Sequence, residues 1–382
     1  MAEAPQHLFV SEIERLESLM HDGHQGLYWD PDALDGKGSR IITHSMLKQF
    51  RKCPLCSYFK YVLRLKPKML AKPLKRGTWV HALLEEFANG GDWEALHAKY
   101  TDQFNRLFDE EKDYYGDMPT EIYTIVKSYM WHYKRDVWKY VANEFTMETP
   151  FPDGTLYRCK VDMLIENAFG LWLGDRKTHK TLPDLSFRIR DSQSALYLWA
   201  ARENGLPVQG FIWDYLRWKA PSVPKLLVKG DRISDSALDT DYPTFVTALK
   251  KYKAENPGVF QIRPKDREYA KYLQGQQYDY GKMQTSEHFR RDILEKSDEL
   301  LDHVMMMNYH TALRMNTYDF SDINAIEMAD PAPSMFGGCF YEDLHIAHIM
   351  GTNLTPIIKQ NYIVGDPNDY YQDRAGEFEK GK

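Results

Sequence analysis

Three residues near the middle of the chain, Asp162, Asp175 and Lys177, have the types and spacing to do chemistry on a charged substrate. They fall in LYRCKVDMLIENAFGLWLGDRKTH, where β-rich, alternating residues flank the turn-forming Asn-Ala-Phe-Gly. With residues 167–170 as a hairpin loop, Glu166 faces Leu171, and the same register sets Asp162 opposite Asp175. Opposed residues share a face of the sheet with Cβ atoms about 5 Å apart. Two carboxylates so placed repel, and a cation between them relieves the repulsion; magnesium, which prefers carboxylate oxygens, is the candidate. Strand periodicity returns Lys177 to that face, where an ammonium group can orient an attacking water or stabilise negative charge growing on a phosphate. Arg176 points to the other face, yet its backbone carbonyl stays within reach of the same cation. A D-x-K triplet alone is weak, because a structural Asp and Lys pair on an exposed hairpin explains most of them.

A second feature concerns the partner rather than the chemistry. The chain of 382 residues has a formal net charge of −6, which by itself argues against a polyanionic partner. The average hides a local reversal. Residues 41–84 contain no Asp or Glu but hold Lys48, Arg51, Lys52, Lys60, Arg64, Lys66, Lys68, Lys72, Lys75 and Arg76, interleaved with Phe50, Tyr58, Phe59, Tyr61 and Trp79. A solvated helical face normally mixes both signs, so a one-sign basic run with aromatic residues reads as a nucleic-acid footprint in which Lys66, Lys68 and Arg76 contact DNA.

The elements that must position these groups can be read from pattern. Residues 1–40 end in the turn-rich WDPDALDGKGSR and read as an N-terminal extension. Residues 41–146 read as helical: Thr43 or Ser45 caps MLKQFRK, Pro54 interrupts, SYFKYVLRL continues, WVHALLEEFA follows Gly77 and Thr78, and a long run extends from about Thr120 to Phe145. Residues 147–232 form the core, with three antiparallel strands, a helix through SQSALYLWAARENG and a further strand in VQGFIWDYLRW. Residues 233–360 read as mostly helical and 361–382 as a flexible tail. The expected class is α/β, a mixed β-sheet core flanked by helices with helical N-terminal and C-terminal regions.

In this order the motifs resemble the RecB-like branch of the PD-(D/E)XK nucleases, which includes recombination and CRISPR-adaptation exonucleases. THSMLKQFRKCPLCSYFKYVLRL resembles the family's serine and Cys-Pro start; RGTWVHALLEEF its Gly-Thr and histidine helix; KVDMLIE and GDRKT its Asp and D-x-K-T strands; and Gln193 with Tyr197 its final helix. WDYLRWKAPSVPKLL and GDRISDSALDT are similar to phage-encoded members. The resemblance implies a restriction-endonuclease-like fold, with His81, Asp162 and Asp175 as metal ligands and Lys177 as the catalytic lysine. It sets Gln193 and Tyr197 on the DNA side of the site and gives Glu148 a supporting role. Glu85, one turn after His81, is either an outer partner or a surface residue.

The cysteines depart from the pattern. Many relatives hold an iron–sulfur cluster with one N-terminal and three C-terminal cysteines. Here Cys53 and Cys339 match two of those places, while Phe336 and His345 stand at the others, so no four-cysteine cluster is expected. Cys53 and Cys56 form a C-x-x-C, but zinc needs two further ligands and Cys159 lies in the catalytic hairpin, so the expectation is small buried thiols and no structural metal.

Together these features predict a Mg2+-dependent deoxyribonuclease, with manganese as a substitute, acting as an exonuclease in phage DNA recombination, replication or degradation. The alternatives are a catalytically silent nucleic-acid-binding subunit with the same fold, and an endonuclease on RNA or branched DNA. DNA is the expected partner, with a phage recombination or single-strand-binding protein as an associate. No apolar run reaches the roughly twenty residues that cross a bilayer, and the start MAEAPQHLFVSEIERLE lacks the basic and apolar blocks of a signal peptide. The expected location is therefore the cytoplasm, the host's if phage-encoded.

Overall fold

The computed structural model describes residues 41–236, 238–279, 282–283, 286–329 and 339–365. The expected N-terminal extension, Phe336 and most of the expected tail lie outside the described residues. Strand β1 (Ile41–Thr43) leads into helix α1 (His44–Lys52), and the Thr43 hydroxyl accepts from the Met46 N–H, 3.3 Å, as its cap. Next come α2 (Pro54–Ser57) with a wider turn over Tyr58–Val62, and β2 (Leu65–Pro67). Four helices follow: α3 (Lys72–Ala88), α4 (Trp93–Asn105), α5 (Asp109–Tyr115) and α6 (Met118–His132).

The long helical run expected through Phe145 stops at His132, and β3 spans Lys139–Pro150. The correction has a tertiary cause. Val137 and Val141 continue a helical spacing, but this β-branched and aromatic stretch pairs antiparallel along nearly the whole of β4 (Leu156–Asn167), and those ladder bonds outweigh weak local preference.

Strand β5 (Gly170–His179) closes the expected hairpin in the expected register, Glu166 with Leu171, although Asn167 pairs with Gly170 so that only two residues form the turn. Then come α7 (Leu185–Arg190), α8 (Ser192–Glu203) and β6 (Val208–Arg217), which runs parallel to β5. Helices α9 (Tyr242–Glu255) and α10 (Pro264–Gly275) precede β7 (Phe289–Leu294), a strand inside the stretch expected to be mostly helical. Its sequence, FRRDIL, hides it, since a strand carrying three charges lacks the apolar signal. Buried Arg291 is tolerated because it pairs with Asp136 (2.6 Å) and Asp214 (3.3 Å) and lies 3.5 Å from the centroids of the Tyr133 and Trp138 rings. The chain continues through α11 (Asp298–Thr317), α12 (Glu342–Ile349), α13 (Thr355–Asn361) and β8 (Tyr362–Val364). Strand β8 pairs with β2, so the last described residues are part of the fold and not of the expected tail.

The result is a mixed α/β architecture in which one sheet runs β1, β4, β5, β6, β7, with β3 on the other side of β4. Helices α8 and α11 bury one face around Leu196, Trp199, Phe211 and Met315; α3 and α6 pack against the sheet from another side around Leu83, Val126, Leu216 and Phe289. The sheet forks at its centre. Pairing of β4 with β5 ends at Met163 and Gly174, and β1 pairs with β4 farther along, at residues 156–158. Gly174 permits the last close approach, because a Cβ there would lie 2.5 Å from Cε of Met163.

Candidate active site

The fork carries the charged groups. One step beyond the last paired residues stand Asp162 on β4 and Asp175 on β5, each 2% exposed. Where β4 and β5 no longer pair, the Arg176 N–H donates to Oδ2 of Asp162, 2.8 Å. The same oxygen lies 3.3 Å from Nδ1 of His81 on α3. Asp175 is held by different groups: Oδ1 accepts from Nε2 of Gln193, 2.8 Å, and Oδ2 pairs with Nζ of Lys177, 2.5 Å. The Lys177 side chain is 34% exposed and that of His81 17%, so these two open the buried carboxylates toward solvent.

These contacts separate the two carboxyl groups electrostatically. Burial would raise Asp162, but His81, Lys177 and the Arg176 N–H outweigh it and hold the carboxyl below its usual range. Asp175 is pushed up to about 7 by burial and then by the neighbouring Asp162 charge, against the pull of Lys177. Burial alone would neutralise Lys177; Asp175 and Asp162 reverse that and keep the ammonium charged.

A further acidic residue belongs here. Glu144 on β3 lies between the paired Asn143/Met163 and Phe145/Val161, hence opposite Asp162. It has φ of 50°, a left-handed conformation that costs a non-glycine residue about 1–3 kcal/mol and clusters at functional sites. Its side chain is 7% exposed and pairs with Lys160, 3.1 Å. His81, Glu144 and Asp162 each present a donor atom, all within 4.8 Å of one another. An imidazole with carboxylate oxygens suits a divalent ion such as Mg2+ or Mn2+.

A family model for the PD-(D/E)XK nuclease superfamily matches residues 41–310, most of the chain and all of the fork. The chain belongs to the PD-(D/E)XK nuclease superfamily. Its mixed sheet flanked by helices is the restriction-endonuclease-like fold of these enzymes, which are nucleases that generally use divalent ions such as Mg2+. No curated protein sequence matches the chain. Among solved structures it is similar to the one titled "Crystal structure of SSO0001", at 11% identity over 66% of this chain and 88% of that one, with a TM-score of 0.22, a likeness too slight to bear on fold or function.

In this PD-(D/E)XK chain the other residues singled out in the sequence have varied surroundings. Gln193 touches the site directly, through Asp175. Tyr197 is 6% exposed within the main core, and its hydroxyl accepts from Gln193, 3.1 Å, so it props the amide and presents no open face to DNA. Glu148 is four residues along β3 from Glu144 and bonds to Nε of Arg158, 2.6 Å, away from the fork. Glu85 is half-buried one turn beyond His81 on α3. The Arg176 N–H donates to Asp162, and its buried guanidinium lies 5.5 Å from the centroid of the Tyr140 ring.

Of the basic residues, Arg76 is buried at 7%, ion-paired with Glu121 and donating to the Trp218 carbonyl, 2.9 Å. It braces α3 against α6 and β6, which corrects its expected part in DNA contact. Lys66 and Lys68 sit on and beside β2, and Nζ of Lys68 donates to the Lys359 carbonyl, 2.7 Å. Among the described residues no helix is long and apolar enough to cross a membrane.

Proposed function

We infer that this protein is a metal-dependent DNA nuclease that hydrolyses phosphodiester bonds from an end, as an exonuclease. The observation that carries the reading is the fork, where two buried carboxylates, a third acidic group, an imidazole and a solvent-reaching lysine converge on diverging strands. Asp162, Asp175, Glu144 and His81 would hold Mg2+, or Mn2+ in its place. When bound, the ion supplies a Lewis acid that offsets charge on the phosphate and eases deprotonation of the attacking water.

The protein's own groups supply the rest. Lys177, kept cationic by its carboxylate neighbours, orients the water and stabilises the negative charge that grows on the phosphate. Gln193, fixed by Tyr197, holds one oxygen of Asp175 while Lys177 meets the other. The Arg176 N–H orients Asp162 beside His81. The order of motifs, similar to RecB-like and phage-encoded members, supports a setting in DNA recombination, replication or degradation.

The test is incubation of end-labelled linear DNA and closed circular DNA with Mg2+, Mn2+ or a chelator. Linear DNA should be degraded with either ion and spared by the chelator, while the circle survives. Undiminished cleavage in chelator would remove the metal mechanism, and rapid cutting of the circle would replace the exonuclease with an endonuclease.

A further inference from the structure

Far from the fork, four soft donors meet. Cys53 ends α1 and caps α2, and Cys56 lies within α2; Cys339 and His345 come from the other end of the described chain. Sγ of Cys56 is 2.8 Å from Sγ of Cys339 and 3.2 Å from Nε2 of His345. The ligand atoms of Cys53, Cys56 and His345 all lie within 4.8 Å of one another. His345 is also in hydrogen-bond reach of Cys53 and Cys339. The expectation that C-x-x-C lacked two partners fails because the chain folds back and brings them from nearly three hundred residues away.

We propose that Cys53, Cys56, Cys339 and His345 form a structural Cys3His zinc site that fastens residues 339–365 to the segment running from α1 to β2. This inference does not depend on the nuclease reading. Three thiols and an imidazole are a tetrahedral ligand set for Zn2+, and four protein donors leave no position for substrate. Three cysteines and a histidine differ from the four-cysteine arrangement that holds an iron–sulfur cluster in some relatives.

The surroundings suit thiolate ligands. Backbone N–H groups of Cys56 and Ala329 point at Sγ of Cys53, and that of Tyr341 at Sγ of Cys339. Such donors support negative sulfur and orient it, as outer partners do around metal ligands. Leu55, Phe59, Tyr341, Leu344, Ile358 and Tyr362 form an apolar cluster with the buried Cys53 and Cys56.

The need for a fastener is visible in the same corner. Among the described residues the strand pairing there is that of the three-residue β2 and β8, and the cluster is smaller than the main core. A structural ion contributes its binding energy directly to folding and compensates for such a limited core. Lys66 and Lys68 ride on this corner, so the site also fixes the position of that part of the basic segment.

The full chain, purified anaerobically under reducing conditions, should carry about one zinc per molecule by elemental analysis. Replacement by Co2+ should give intense visible bands of a tetrahedral site together with thiolate charge-transfer absorption. Cys339→Ser and His345→Ala should each lower zinc content several-fold, and Lys177→Ala should leave it unchanged. Because the first two variants can misfold, the wild-type Co2+ spectrum decides independently. A zinc-free chain that gives no thiolate bands with Co2+, a protein carrying iron and sulfide, or a Cys56–Cys339 disulfide under these conditions would overturn the proposal.

Discussion

Two clusters of titratable groups, the fork and the cysteine corner, are built alike and differ in every property that matters chemically. Each gathers donors from segments distant in sequence and seats them in apolar surroundings. At the fork the donors are oxygens and an imidazole, like charges are crowded, and Lys177 and His81 reach solvent. At the corner the donors are mostly sulfurs, with Cys53 and Cys56 buried and Cys339 and His345 half-buried beside an apolar cluster. Hard donors with an open side suit an ion that meets substrate; four soft donors that fill a tetrahedron suit an ion that only holds the chain together. Burial alone does not distinguish the two roles, whereas donor softness and an open coordination side do.

The sharpest way to break this contrast is Lys177→Ala. It should reduce DNA cleavage by about a thousandfold, the scale of removing a group that stabilises transition-state charge, while leaving DNA binding and zinc content intact. Unaltered digestion of linear DNA would detach Lys177 from the chemistry. A smaller effect is expected from Glu144→Gln, which should weaken divalent-ion binding by about tenfold or more, whereas Glu148→Gln should change it little. Equal effects from the two would show that the position opposite Asp162 is not special.

The gentlest effect is one of pH. Since Asp175 is raised to about 7, an ion entering the fork must displace its proton. Apparent Mg2+ affinity should fall by up to about tenfold per unit as pH drops below 7 and level off above it, as calorimetry can measure. In the metal-free protein the sign is opposite: the raised group favours the fold when protonated, so its contribution is complete below the free carboxylate's 3.8 and is lost as pH climbs through about 7. Asp175→Asn should flatten both profiles, and a slope that survives the substitution would assign the titration elsewhere.

How much of this was legible follows from where the signals lie. The hairpin of Asp162 and Asp175 could be read because a short turn sets the register of everything beyond it. The same arithmetic from the Pro-Asp-Gly turn, where Pro150 pairs with Leu156, carries Glu144 opposite Asp162. The sequence hides that residue because its strand resembles the end of a helix, which leaves Glu148 as the acidic residue on the visible strand. Arg76 was misread for a different reason. Its one-sign neighbourhood in sequence gave no sign of Glu121, which arrives from α6 and takes the guanidinium out of solvent.

By itself the order of residues determined the α/β class, the hairpin register, and the acidic and basic groups available for chemistry. Those properties depend on turns and alternation acting over a few residues. Only the tertiary structure decided that the strands part after Gly174, that Gln193 rather than open DNA-facing space meets Asp175, and that Cys56 meets Cys339 and His345. Such contacts form between segments tens to hundreds of residues apart, and no local pattern specifies which buried polar group will find which partner once the core excludes water.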